Sequence, residues 1–287
     1  MEKLVADVAD AIGGTLSPLQ VFLALASVVS ILLGSACYVI SMYSSPIALL
    51  VFGFVGYSLL RRLVSACGIL SPQPHIKVQA PNTIRFVCIS DTYGKHEHVK
   101  LPPGDVLIHA GNFTRLGTVD EVERCKTPSL LGLMSRRFNA WLGSQPYRRK
   151  LVVAGHHDNV HPIDWSKVLS HGDYLADSSV SIDGISVFGC ASTSSQAIPT
   201  HTDVVVTHIP PFGILDKQTV DGIHIGSEAL LKQILTTSRP KLHVFGRVRE
   251  GYGQTIVGTT TFVNASSTTL CRQPANAPWV VDLPTPA

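Results

Sequence analysis

Five junctions in the chain place chemically capable groups directly after a short apolar run. Residues 84–89 (IRFVCI) lead to Asp91-Thr92-Tyr93-Gly94, and 106–109 (VLIH) to Gly111-Asn112-Phe113-Thr114. Residues 151–154 (LVVA) lead to Gly155-His156-His157-Asp158, 204–207 (VVVT) to His208-Ile209-Pro210-Pro211, and 242–245 (LHVF) to Gly246-Arg247-Val248-Arg249-Glu250. Carboxylate and imidazole groups carry protons and bind metals. Guanidinium has no lone pair, stays charged and pairs bidentately with phosphate. Singly, each group also has a structural role open to it: Asp91 as a helix N-cap, His208 as a core histidine, His156 and His157 as a solvated turn. In series, polar groups at successive strand ends gather at one edge of a sheet, where α/β proteins place their sites.

The elements that must position them follow from the same runs. Two more short β-rich runs occur at 185–188 (ISVF) and 261–263 (TFV), and helix-like stretches at 118–142 in part and at 227–237. Largely apolar strands alternating with helices predict an α/β domain. Thr127-Pro128 interrupts the first helical stretch, and residues 70–83 carry three prolines, which reads as linker.

Composition divides the chain. No Asp, Glu, Lys or Arg occurs in residues 11–60, a run of 50 residues. A bilayer-crossing helix needs ~20 apolar residues, so the run has room for two, at about 19–42 and 45–60 with Ser44-Ser45-Pro46 as the turn. The second is short and holds Gly53 and Gly56, which leaves a re-entrant segment open; a buried helical hairpin is a further alternative, though a soluble hairpin would carry charge on its outer face. Glu2, Asp7 and Asp10 against Lys3 do not make the basic start of a cleaved signal. Arg61 and Arg62 follow the second run and place that end in the cytosol. The expected organisation is a tail (1–18), a membrane hairpin (19–60), a basic, proline-rich linker (61–82) and a domain (83–284), with the lipid bilayer as partner of 19–60 and the domain facing the cytosol.

Six scattered cysteines without a C-x-x-C pair suit a reducing compartment and argue against a disulfide framework or zinc site. Beyond residue 60 there are 22 Lys/Arg and 17 Asp/Glu, a mild net +5 without a dense basic block. Anionic ligands are compatible with this balance; nucleic acid is not specifically indicated.

The order of motifs resembles the calcineurin-like metallophosphoesterase superfamily, whose pattern runs D-x-H, G-D, G-N-H-[DE], a lone His, then G-H-x-H. Phe86-Val-Cys-Ile-Ser-Asp-Thr92, Gly111-Asn-Phe-Thr114, Phe138-Asn-Ala-Trp-Leu-Gly143, Arg239-Pro-Lys-Leu-His-Val-Phe-Gly246, Glu250-Gly-Tyr-Gly253 and Val263-Asn-Ala-Ser266 are closer still to the small metallophosphoesterase-domain-containing proteins of animals. The resemblance implies a four-layer αββα sandwich over residues 83–284. It also implies two divalent metals (Mn, Fe or Zn) that activate a hydroxide for in-line attack on phosphorus. Carried across, the first metal would be held by Asp91, Tyr93, Asn112 and Arg249, and the second by Asn112, His156, His208 and Arg247. His157 matches the histidine that polarises the phosphate and protonates the leaving oxygen.

Five of those seven ligand positions have changed type. Tyr93 stands for a histidine, Asn112 for the bridging aspartate, His156 for an asparagine, and Arg247 and Arg249 for the two histidines of G-H-x-H. A pocket that hosts metal charge now carries two permanent cations. The expected arrangement has Arg249 paired with Asp91 in the first metal position and Arg247 near His156 and His208 in the second. Such a degenerate site holds one metal or none and binds phosphate or nucleotide through Arg247, Arg249 and His157. The chain is also short between Phe188 and Val204, where the family carries an aromatic-rich segment. The resulting expectation is a membrane-tethered, catalytically impaired or inactive phosphoesterase fold. The alternatives are an active metal-dependent hydrolase of phosphomonoesters, phosphodiesters or cyclic nucleotides, and a membrane adaptor or scaffold.

Overall fold

Strand β1 (Thr83–Ile89) shows how the sequence builds the domain. Its side chains alternate between faces, as the two-residue period of a strand requires. Ile84, Phe86 and Cys88 enter one apolar core, and Val87 and Ile89 another. Both faces are covered, which is why the run is apolar nearly throughout. The computed structural model describes residues 78–123, 138–190, 197–219, 221–269 and 274–286. All belong to one compact unit, Gln73–Ala287. The expected hairpin, the tail and most of the linker lie outside the described residues; among the described ones, no helix is long and apolar enough to cross a membrane.

The first sheet has five strands. β1 is flanked by β2 (Val106–His109) and β11 (Trp279–Pro284); β3 (Arg149–Val152) and β4 (Asp173–Tyr174) follow, giving the order β11-β1-β2-β3-β4. All pairs are parallel except β1–β11. The second sheet runs β5-β6-β7-β8-β10-β9, from β5 (Ser178–Ile182), β6 (Ile185–Gly189), β7 (Val204–Val206), β8 (Leu242–Phe245), β9 (Gly253–Val257) and β10 (Thr260–Asn264). Its two edge pairs are antiparallel and its interior is parallel.

Three cores define the layers. One joins the sheets face to face, with Phe86, Ile108 and Leu151 from the first and Val187, Val206 and Val244 from the second. A second packs the outer face of the first sheet against short helices α1 (Asp120–Glu123), α2 (Phe138–Ser144) and α3 (Trp165–Val168), through Val122, Phe138, Trp141 and Trp165. The third sets Val205, Phe245 and Phe262 against α4 (Glu228–Lys232) and the π-helical turn Gln233–Ser238 that continues it. Ser227 starts α4, its hydroxyl accepting from the Leu230 amide at 3.2 Å. The layering is therefore helix, sheet, sheet, helix.

All seven runs expected to be strands form strands. The 151–154 run pairs two residues earlier, at Arg149–Val152, although Val153 and Ala154 are buried just beyond it. Four strands were not expected: β4, β5, β9 and β11. They are the four edge strands of the two sheets.

Candidate functional site at the strand ends

The C-terminal ends of β1, β2, β3, β7, β8 and β10 meet where the sheets adjoin. An isolated bridge from Ser90 to Ser266 links the ends of β1 and β10 there. Asp91, Tyr93, Asn112 and Arg247 all take left-handed backbone, with φ of 57, 47, 56 and 69°. Non-glycine residues adopt this region rarely and at an energetic cost, and such positions concentrate at functional sites. Close approach adds a second constraint. A Cβ at Gly246 would collide with the Ser90 hydroxyl and the Asp91 carboxylate, and one at Gly155 with the Asn112 amide.

Asp91 is fully buried, and its carboxylate is saturated with donors. Oδ1 accepts from Asn112 Nδ2 (2.8 Å) and the Tyr93 hydroxyl (3.1 Å). Oδ2 accepts from Ser90 Oγ (2.9 Å), Ser266 Oγ (2.8 Å) and the Arg247 amide (2.9 Å). Burial alone would raise the Asp91 pKa; neighbouring His208 and the donors Asn112, Ser266 and Ser90 hold it below its ordinary value. Because burial itself lowers the pKa of His208 toward the neutral form, the hydrogen bonds carry most of that effect.

Asn112 is oriented by its neighbours. Its Oδ1 accepts from the His157 amide at 2.9 Å, so its Nδ2 is the end that faces Asp91 and reaches the Tyr93 oxygen at 3.0 Å. The residue at the expected bridging position thus presents a donor to the site. Tyr93 is buried, and burial followed by the adjacent Asp91 pushes its phenol pKa up, so it stays protonated and donates to that carboxylate.

The other half of the site is built differently. His208 Nδ1 donates to the Ala110 carbonyl at 2.8 Å, which puts the lone pair on Nε2. That Nε2 is buried and has no hydrogen-bond partner among the described residues. Its ring lies 5.9 Å from that of His156, which is exposed. Arg247 Nη1 donates to His156 Nε2 at 2.8 Å. Partial desolvation of the ring within this otherwise exposed residue, then the charge of Arg247, lowers the His156 pKa to about 4, in keeping with a ring that accepts from Arg247.

The expected Arg249–Asp91 ion pair is absent from the ion pairs among the described residues. The Arg249 guanidinium instead stands 5.8 Å from the centre of the Tyr93 ring, with its Nε buried and without a hydrogen-bond partner among the described residues. The reason is physical: Asp91 already accepts five hydrogen bonds, and the Tyr93 and Asn112 side chains fill the space in front of it. His157 packs edge-on against Tyr93 at 5.0 Å, and its Nδ1 donates to the Arg115 carbonyl at 2.8 Å.

Several residues of this constellation were not singled out from the sequence. Asp158 is fully buried and accepts from the amides of Asn112 (2.7 Å), Thr114 (2.8 Å) and Gly155 (2.8 Å) and from the Thr114 hydroxyl (2.6 Å). It locks the loop after β2 to the loop after β3. Burial raises its pKa to about 7 against those hydrogen bonds. Ser90 and Ser266 also escaped notice; their strand-end positions were the available signal.

Two divalent metals do not fit this donor set. Asp91 is saturated, Asn112 presents an N–H, Tyr93 holds its proton, and two guanidiniums flank the cluster. Among the described residues, no group of three or more His, Cys, Asp or Glu converges to hold a metal ion.

No family profile matches the chain. It is similar to human metallophosphoesterase domain-containing protein 1, with 36% identity over 261 aligned residues covering 76% of each chain. A UPF0046 protein of Caenorhabditis elegans is 34% identical over 245 residues, covering 71% of this chain and 83% of that protein. Among solved structures, an archaeal phosphodiesterase matches 70% of this chain and 100% of its own, at a TM-score of 0.35 and 12% identity.

Proposed function

Because the chain belongs to the family of metallophosphoesterase domain-containing proteins, we propose that it keeps the fold as a phosphate-recognising module whose two-metal hydrolysis is impaired or lost. The observation that carries this reading is Asn112. The family's reaction needs a carboxylate shared by two cations at that position, and here an amide N–H points into it toward Asp91. The retained recognition chemistry is cationic, supplied by Arg247 and Arg249, with His157 beside them. The site holds one metal or none.

The test is metal analysis of the full-length protein together with hydrolysis of a generic phosphodiester and a phosphomonoester in Mn²⁺, with His157→Ala as the control. The expected result is at most one metal per chain and turnover no higher than the control. Two stoichiometric metals, or activity that disappears in the control, would overturn the reading in favour of a working hydrolase. One observation favours that second reading: the Nδ1 hydrogen bond to Arg115 leaves the His157 lone pair on Nε2, as a proton-transfer role requires.

We place the domain on the cytosolic face of a membrane, tethered through residues 19–60. The 50-residue uncharged run and the Arg61-Arg62 pair after it support this. Carbonate-resistant pelleting with a protease-sensitive domain in sealed vesicles is the expected outcome; release into the carbonate supernatant would exclude it.

A further inference from the structure

Arg247 has an unusual combination of surroundings. Its guanidinium is half-buried, and burial lowers its pKa. It forms none of the ion pairs found among the described residues, and the hydrogen bond its side chain makes goes to the neutral ring of His156. The nearby carboxylate of Asp91 takes the Arg247 backbone amide instead. A partly desolvated cation whose side-chain hydrogen bond goes to an imidazole acceptor, with the Asp91 charge acting only at longer range, is a site for an anion.

Beside it lies the opposite need. His208 Nε2 is a buried acceptor with no donor, and its tautomer is fixed by the bond from Nδ1 to the Ala110 carbonyl. His156 presents a second acceptor toward Arg247. An anion with only bare oxygens satisfies the guanidinium but sets its own lone pairs against that of His208. An anion that also carries a hydroxyl satisfies both. The His156 ring beside them is solvent-exposed.

From these contacts we infer that the Arg247–His156–His208 half selects a phosphoanion bearing a proton, such as inorganic phosphate or a phosphomonoester monoanion. It discriminates against anions with none, such as sulfate or a phosphodiester. The inference rests on the phosphate-recognition reading above and adds the class of ligand to it. Arg249, His157 and Asp91 are the other charged or titratable groups facing this region; the Arg249 guanidinium strengthens anion binding in general and does not discriminate between phosphate and sulfate.

The experiment is calorimetric titration of the full-length protein with inorganic phosphate, sulfate and dimethyl phosphate at pH 7, where inorganic phosphate carries at least one proton. A buried acceptor left unmet is worth roughly a factor of ten or more in affinity. Phosphate is therefore expected to bind at least about tenfold tighter than sulfate or dimethyl phosphate. His208→Gln, whose amide can offer a donor, should shrink the phosphate-to-sulfate ratio to about two or less. If the variant does not fold, the wild-type ratio alone decides. Equal affinities for phosphate and sulfate would overturn the selectivity and leave phosphate recognition standing. Binding of none of the three would remove the phosphate-recognition reading, and this inference with it.

Discussion

The two halves of the strand-end site stand in opposite states. Around Asp91, each carboxylate oxygen has its donors, and Tyr93 and Asn112 close the space with a hydrogen-bonded triangle. Around His208, a buried lone pair is unmet, and an arginine rests on an exposed histidine. The difference follows from which residue types stand beside Asp91 and which beside His208. A tyrosine and an asparagine are neutral and can satisfy a carboxylate, so the first half has become a structural cluster. An arginine can satisfy neither imidazole fully and brings a charge, so the second half stays open to an anion.

The sharpest way to break the comparison is Asp91→Ala. It removes one buried carboxylate and strands Tyr93, Asn112, Ser266 and the Arg247 amide at once, while Ser90 keeps the Ala110 carbonyl as acceptor. Breaking a buried charged network in this way costs about 3–5 kcal/mol. Chemical denaturation should show a loss of that size. A loss below about 1 kcal/mol would mean the first half is not the structural cluster described.

Behind the asymmetric front, the two halves share a matched pair. Thr92 bonds His109 Nε2 at 2.9 Å in the first sheet, and Thr207 bonds His243 Nε2 at 2.9 Å in the second. Both histidines are fully buried, and burial lowers each pKa to about 3. The unfolded value is ~6.5, so their contribution to stability is complete above ~6.5 and is lost as pH falls toward 3. Each protonation deficit amounts to ~1.4 kcal/mol per pH unit, so the pair should remove about 3 kcal/mol between pH 6.5 and 5. Denaturant midpoints across that range check this. Asp158, raised to about 7, works in the opposite sense over the same range, so the deciding quantity is the difference in slope between the parent and a His109→Gln, His243→Gln variant; no difference would show that the rings accept protons without unfolding.

What could be read from the sequence divides along the same physical lines. Strands with both faces buried announce themselves as apolar runs, and all seven interior strands did so. The edge strands β5 (SSVSI), β9 (GQTIV) and β11 (WVVDLP) are half-exposed and mixed in polarity, and β4 has two residues, so none stands out from loop. At the site, strand-end position was enough to bring Asp91, Asn112, His156 and His208 together. It could not show which end of the Asn112 amide faces Asp91, because the distant His157 amide decides that. Nor could it place Arg249, whose expected partner was already saturated. Asp158 shows the same limit: a carboxylate bonding four backbone amides across two loops has no local signature.

Asn112→Asp sharpens the contrast between structural cluster and ligand site. It sets a second carboxylate against Asp91, where the donor now stands 2.8 Å away, and leaves Tyr93 without that neighbour. Without metal, the repulsion and the lost hydrogen bond should destabilise the domain by roughly 2–3 kcal/mol. The informative measurement is the change in melting temperature on adding Mn²⁺. The variant should regain part of its loss while the parent does not move. A parent that gains as much as the variant would show that its first half already takes a metal.

The smallest effect belongs to the open half. His156 is exposed, and its bond to Arg247 competes with water on both partners. His156→Ala should change stability by less than about 0.5 kcal/mol, the usual range for surface positions. Chevron or equilibrium denaturation compared with Asp91→Ala gives the ratio directly. If the two variants cost the same, His156 and Arg247 form a structural cluster as closed as that of Asp91, and the distinction between the halves fails. If His156→Ala is near neutral, the Arg247 side chain is held by little more than one solvent-accessible bond. It is then free to exchange that bond for an anion at slight expense, a property that the saturated Asp91 half lacks.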